Sequence, residues 1–137
     1  MSVIKDITNG HQTDKRAAMY YKTEPFYGNV DNYTHTNNWE ILCSIKILNS
    51  KGYAVDLIDR TCTNWEPKHE YDMFLGLGVG NSGRQFARYS KLSKAKKRIL
   101  LAMGPQPDTS NALNVKRYEE FRERTGYNAP PMRTVQD

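Results

Sequence analysis

The stretch H-T-N-N-W-E-I-L-C-S-I-K-I-L-N-S-K-G-Y-A-V-D-L-I-D, His35 to Asp59, spells a helix delivered directly into a strand. Asn37 is a good N-cap, and Glu40 stands three residues later, close to a capping box. Ile41, Leu42, Ile45 and Leu48 fall at helical spacing on one face. Gly52, just after Lys51, is the expected C-terminal stop. Tyr53–Asp59 follows at once as a strand whose apolar alternation is only partial. A helix joined to a strand by one glycine is half of a β-α-β unit, so the flanking sequence should hold its neighbours.

It does. Upstream, Ala17–Thr23 (A-A-M-Y-Y-K-T) is short, apolar and aromatic, reads as a first strand, and is punctuated by Pro25. Residues 24–35, rich in Pro, Gly, Asn and Asp, form a long loop. Downstream, Tyr71–Gly78 is nearly continuous in apolar character, as a parallel strand buried on both faces would be. A second helix spans Ser82–Lys94 with Phe86, Tyr89 and Leu92 along one side, and Arg98–Met103 is a fourth strand. A third helix spans Ser110–Gly126. Val115, Tyr118 and Phe121 would line its buried side, and Glu120 would pair with Arg117 and Arg124 on the other. Residues 1–16 are polar without a sustained period and read as a flexible arm; 127–137, with two prolines, read as a tail.

Helices interleaved with short apolar strands imply an α/β fold, a Rossmann-like doubly wound parallel sheet of about four strands with helices on both faces in three layers. The sequence stops just after a helix, where one more strand would be natural, so the sheet reads as incomplete. Ligands in such a sheet bind beyond the carboxyl ends of the strands.

Composition bounds the function classes. The 137 residues suit one domain, and 38% hydrophobic with 26% charged residues is ordinary for a globular chain. No apolar run approaches the roughly 20 residues that span a bilayer. The Met1 end has no apolar signal-peptide core, which with two widely spaced cysteines, Cys43 and Cys62, leads to the expectation of a cytoplasmic, reducing location. The cysteines make no metal spacing, and neither a metal nor a cofactor is assigned. Net charge is +5. Seven cations crowd Arg84–Arg98, a face suited to an anionic membrane surface or simply to solvent; without aromatic-basic alternation, nucleic acid is not expected.

Three loops face the carboxyl end. In the first, His35, Asn37 and Asn38 surround a helix start whose N–H groups attract anions, although capping explains the same residues structurally. The second, G-L-G-V-G-N-S-G (Gly76–Gly83), holds Gly78, Gly80 and Gly83 in G-x-G-x-x-G spacing, with Asn81 beside them. The next strand ends in Met103–Gly104 without the acidic residue a dinucleotide site wants, so a close-packed turn or a sugar or nucleotide contact remain the alternatives. The third begins at Gly104 and stiffens through Pro105 and Pro107. His69–Glu70 precede a strand, the wrong end for an active site, and Cys43 falls mid-helix on or near the apolar face, a poor place for a nucleophile.

H-T-N-N-W-E, then K-G-Y-A-V-D-L-I-D, Y-D-M-F-L-G-L-G-V-G, K-R-I-L-L-A-M-G and N-x-x-x-x-x-R-Y-x-E-F-x-x-R-T-G (Asn111–Gly126) stand in an order that resembles the amino-terminal half of GT-B glycosyltransferases of the family 4 (group 1) type, over about residues 17–126. The resemblance implies the acceptor-side domain of an enzyme that moves a sugar from a nucleotide sugar to an acceptor hydroxyl. It implies that His35 acts on the acceptor or the leaving phosphate, and that Asn37, Asn38, Gly78, Gly80 and Asn81 line the cleft; Gly104, by its place after the fourth strand, would face the same cleft. The donor half, with its glutamates eight positions apart, has no counterpart: no Glu here has another eight residues on. The chain alone is expected to be inactive. Two other readings stand beside this one: a stand-alone nucleotide- or small-molecule-binding module, and an interaction domain without a ligand.

Overall fold

A computed structural model describes residues 2–28, 36–77, 81–102, 107–130 and 134. The elements are β1 (Val3–Ile7), β2 (Lys15–Tyr21), α1 (Thr36–Ser50), β3 (Tyr53–Asp59), β4 (Met73–Leu77), α2 (Asn81–Leu92), β5 (Lys97–Leu101) and α3 (Pro107–Thr125), with one 3-10 turn at Glu24–Phe26. The chain is α/β: one five-stranded sheet in the order β1-β3-β2-β4-β5 and three helices. Four strands run parallel, and β1 pairs antiparallel with β3.

β2 and β3 are the core because both of their faces are covered. Ala17, Met19, Tyr21, Val55 and Leu57 pack under Ile41, Ile45 and Leu48 of α1. The alternate residues Ala18, Tyr20 and Ile58 face the other way, with Phe74 of β4 beside them and Tyr89 of α2 over them. Coverage on both sides removes the need for polar alternation, which is why the partial pattern of Tyr53–Asp59 still makes a strand with those bounds.

α1 ends as its sequence dictates. Gly52 takes φ +84°, and the Lys51 and Gly52 N–H groups donate to the Leu48 and Asn49 carbonyls at 3.0 Å. Asn49, almost wholly buried, then ties three elements together. Its amide donates to the Ile7 and Tyr53 carbonyls, each at 2.8 Å, and its oxygen accepts from Asn9 at 2.7 Å.

No helix links β3 to β4. The connection from Arg60 to Asp72 carries Pro67 and is held down by aromatic packing instead. Trp65 meets Tyr89 edge-on at 5.3 Å, and Tyr20 meets Tyr89 at 5.6 Å. The tyrosine hydroxyls are satisfied on the loop backbone: Tyr20 donates to the Arg60 carbonyl (2.9 Å) and Tyr89 to that of Cys62 (2.8 Å).

Several sequence expectations need correction. The arm expected over 1–16 contains β1, so the sheet has five strands, not about four, and is not wholly parallel. The partly buried residues of β1 fall on both faces, Val3 against the Tyr20 cluster and Ile4 and Ile7 against the Met19 cluster; a register irregularity between Ile4 and Ile7, with Asp6 at φ +53°, breaks the alternation that would have revealed it. Cys43 is exposed rather than apolar-facing, and Leu92 is exposed rather than packed. α3 buries nothing: Val115 and Phe121, expected inward, are exposed. Among its described side chains Glu120 pairs with Lys116 at 3.9 Å, and Arg124 reaches only the Glu120 backbone carbonyl.

Candidate functional site

The parallel strands run in the order β3-β2-β4-β5, so the connection through α1 leads one way from β2 and the connection through α2 leads the other way from β4. The carboxyl ends of β2 and β4 therefore flank a switch point, where open α/β sheets form a crevice. α1 and α2 both begin at this end of the sheet, on its opposite faces, each directing the positive end of its dipole there.

The structure places part of the expected set at this switch point. Asn37 and Asn38 lie in the first turn of α1, which starts at Thr36, so Asn37 is inside the helix rather than at its cap. Asn81 is the first residue of α2. His35, Gly78, Gly80 and Gly104 lie outside the described residues. Glu40, expected in a capping box, accepts a hydrogen bond from the Tyr21 hydroxyl at 3.1 Å at the end of β2. Burial, reinforced by the neighbouring Glu40 carboxylate, pushes the Tyr21 hydroxyl up to about 12.

Asn38 is the most informative of these residues. Its side chain is buried, and its oxygen accepts no hydrogen bond among the described residues. Gln85, one turn into α2, repeats the situation: its side-chain oxygen is also buried without a donor. A buried acceptor without a donor costs about 1–3 kcal/mol, so two of them, each near the start of a helix that borders the crevice, call for donors from elsewhere.

Sequence reasoning missed the residue that shapes this end of the sheet. Asp59, the last residue of β3, is buried and accepts four hydrogen bonds. Thr23 donates its N–H (2.9 Å) and hydroxyl (2.8 Å) to one oxygen; Thr61 donates its N–H (2.9 Å) and hydroxyl (2.6 Å) to the other. Burial pushes the carboxyl up, but these four donors outweigh it and hold Asp59 below its ordinary range. The loop leaving β2 is thereby clamped to the end of β3. The signal was an acid closing an apolar strand, which in a buried strand demands partners.

The chain matches no family model, no curated protein and no solved structure. The site rests on its own geometry.

Other clusters explain themselves. A cavity of about 550 Å³ lies at the amino ends of the strands, lined by Lys15, Arg16, Asp72, Lys94 and Lys96 among others. It is at the end of the sheet away from the switch point, and one of its three carboxylates, Asp72, is engaged by Lys96 (3.1 Å) and the Arg16 N–H (3.1 Å). Asp56, buried in mid-strand, accepts from the Tyr71 hydroxyl (2.6 Å) and the Asp6 N–H (2.9 Å) and lies 3.9 Å from Arg16. That network ties β1 and the β3–β4 connection to the sheet and leaves no oxygen free for chemistry. His69 stacks edge-on against Tyr71 at 6.3 Å, at the amino side of β4 as expected. Among the described residues no His, Cys, Asp and Glu group has metal-binding geometry. No described helix is long and apolar enough to cross a membrane.

Proposed function

We propose that this chain is a Rossmann-like, doubly wound domain forming the acceptor wall of a sugar-transferring cleft. The observation that carries the reading is the pair of buried amide oxygens, Asn38 Oδ1 and Gln85 Oε1, that have no donor among the described residues, near the helix starts that border the switch point. A glycosyl acceptor is rich in hydroxyl donors, and an amide oxygen is a neutral acceptor suited to them. The helix ends offer positive potential to the phosphates of a nucleotide sugar approaching from the opposite wall. The sequence resemblance to the amino-terminal half of group 1 glycosyltransferases falls on the same two helix starts, with H-T-N-N-W-E running into α1 and G-L-G-V-G-N-S-G running from β4 into α2.

In this reading the chain binds and orients the acceptor, and Asn37, Gly78, Gly80, Asn81 and Gly104 complete the lining. His35, immediately before α1, takes a proton from the acceptor hydroxyl or steadies the leaving phosphate. Transfer needs the donor held across the cleft, so one wall positions a substrate without turning it over.

The test is calorimetric titration of the purified chain with a panel of simple glycosides, paired with transfer and hydrolysis assays on nucleotide sugars. Glycoside binding that weakens about tenfold in Asn38→Ala or Gln85→Ala, without turnover, is the expected result. Robust turnover by the chain alone would remove the one-wall reading. Micromolar binding of nicotinamide cofactors or S-adenosylmethionine, with no response to glycosides, would replace it with a stand-alone nucleotide-binding module.

A further inference from the structure

We propose that the outer face formed by α2 and the adjoining side of β5 docks on the surface of an anionic lipid bilayer. Residues 81–102 carry seven of the chain's twenty Lys and Arg and none of its fifteen Asp and Glu. The remainder of the molecule therefore holds more acid than base, and its positive charge is segregated here.

The fold turns this composition into a surface. On α2, Phe86, Tyr89 and Ser90 face the sheet, Tyr89 fully buried and Ser90 nearly so. Arg84, Arg88 and Lys91, at i, i+4 and i+7, fall on the opposite side of the helix and are exposed. Arg98 of β5 pairs with Phe74, and Leu100 with Gly76, so Arg98 and Leu100 point to the α2 side of the sheet, where both are exposed. Lys94 extends the exposed positive charge just past the helix end. Lys91, Lys94 and Arg98 form no ion pair with any described residue, so their charge is not cancelled locally.

Charge alone suits any polyanion. The exposed apolar side chains select among them: Leu92 is 41% exposed and Leu100 51%, both among these cations. A bilayer interface takes cations at the headgroups and aliphatic side chains at the acyl boundary. Single-stranded nucleic acid would want exposed aromatic rings to stack on, whereas here Tyr89 is buried and Phe86 is turned toward Phe74 at 5.4 Å. The face is built from the outer side of α2 and does not use the crevice, so this inference and the sugar-transfer reading fail independently.

Vesicle sedimentation of the full chain tests it, with phosphatidylcholine vesicles against vesicles doped with phosphatidylglycerol. Binding to the doped vesicles alone is expected, weakening as salt shortens the screening length. The triple variant Lys91→Gln, Lys94→Gln, Arg98→Gln should bind about a hundredfold more weakly, each cation near such a surface contributing about fivefold. Its thermal midpoint should match the parent's. Leu92→Ser with Leu100→Ser should weaken vesicle binding several-fold while leaving retention on immobilised oligonucleotide unchanged. Soluble glycerol phosphate should not compete, which separates a bilayer from a free phosphate ligand. No binding to doped vesicles at low salt overturns the proposal. So does a folded triple variant that binds undiminished, competition by glycerol phosphate, or displacement by oligonucleotide together with indifference to the leucine changes, which would make this a nucleic-acid face.

Discussion

Asp59 shows how one carboxylate organises a loop. Each oxygen takes one backbone N–H and one hydroxyl, so all four donors of Thr23 and Thr61 are spent on it. Asp59→Asn keeps the shape but turns an NH2 group toward two donors on one side. The expected cost at pH 7 is about 2–3 kcal/mol, measured by urea unfolding. A folded-state pKa below the unfolded value means that this stability is present above about pH 4 and lost as pH falls through the folded value. The gap between parent and Asp59→Asn should therefore close as the pH is lowered toward 3. Gly76 is a second single-residue constraint, of steric origin. A Cβ there would lie 2.7 Å from the Tyr20 carbonyl oxygen and 3.2 Å from the Phe86 ring, so β2, β4 and α2 meet where only hydrogen fits. Gly76→Ala should destabilise by about 1–3 kcal/mol, read from the same unfolding curves.

At the scale of elements, β1 and α3 are opposites. β1 is short and irregular yet is fastened by buried chemistry: its Asp6 N–H donates to Asp56, whose other oxygen holds Tyr71. Removing the shared acceptor by Asp56→Ala strands a backbone N–H and a buried hydroxyl, while Arg16 keeps its 2.7 Å ion pair with Asp6, and should cost about 2–5 kcal/mol in unfolding measurements. Tyr71→Phe leaves the carboxylate its other partner and should cost about 1–2 kcal/mol. α3 is long and regular, with no buried residue. Its amides should exchange with solvent well before those of β2 and β3, which hydrogen exchange by mass spectrometry would resolve. This contrast also marks what the sequence can reveal. α1, β3 and α2 were legible because period, cap glycine and apolar run agree locally. β1 was not, because its bulge at Asp6 erases the period of two, and its attachment depends on Asp56 and Asn49, more than forty residues away in sequence. α3 shows an apolar spacing without a surface to bury it, which sequence cannot distinguish from a packed helix. The crevice was legible as loops following strands. Its buried acceptors were legible only for Asn38; Gln85 required knowing which turn of α2 comes to border the same crevice.

For the whole molecule, the titrating groups set a window of stability with two differently built edges. On the acid side Asp59 and Asp72 are both held low. Asp72 is held low first by the Arg16 N–H and then by Lys96, an exposed arrangement that salt weakens, whereas the Asp59 clamp is buried and salt-insensitive. On the alkaline side, Tyr21 stays protonated in the folded chain to about 12, against an ordinary value near 10. Between those values the unfolded chain loses a proton that the folded chain keeps, so stability falls with rising pH. Tyr71, buried against the Asp56 carboxylate, is raised further and adds to the same fall. Because Tyr21 donates to Glu40 beside the switch point, its alkaline edge also reports on that end of the sheet. Tyr21→Phe should cost about 1 kcal/mol at pH 7 through the lost hydrogen bond. It should then lose less stability than the parent between pH 10 and pH 12, since no hydroxyl remains to ionise on unfolding. Thermal unfolding of both proteins across that range would show the two curves converging; parallel curves would place the alkaline edge elsewhere in the molecule.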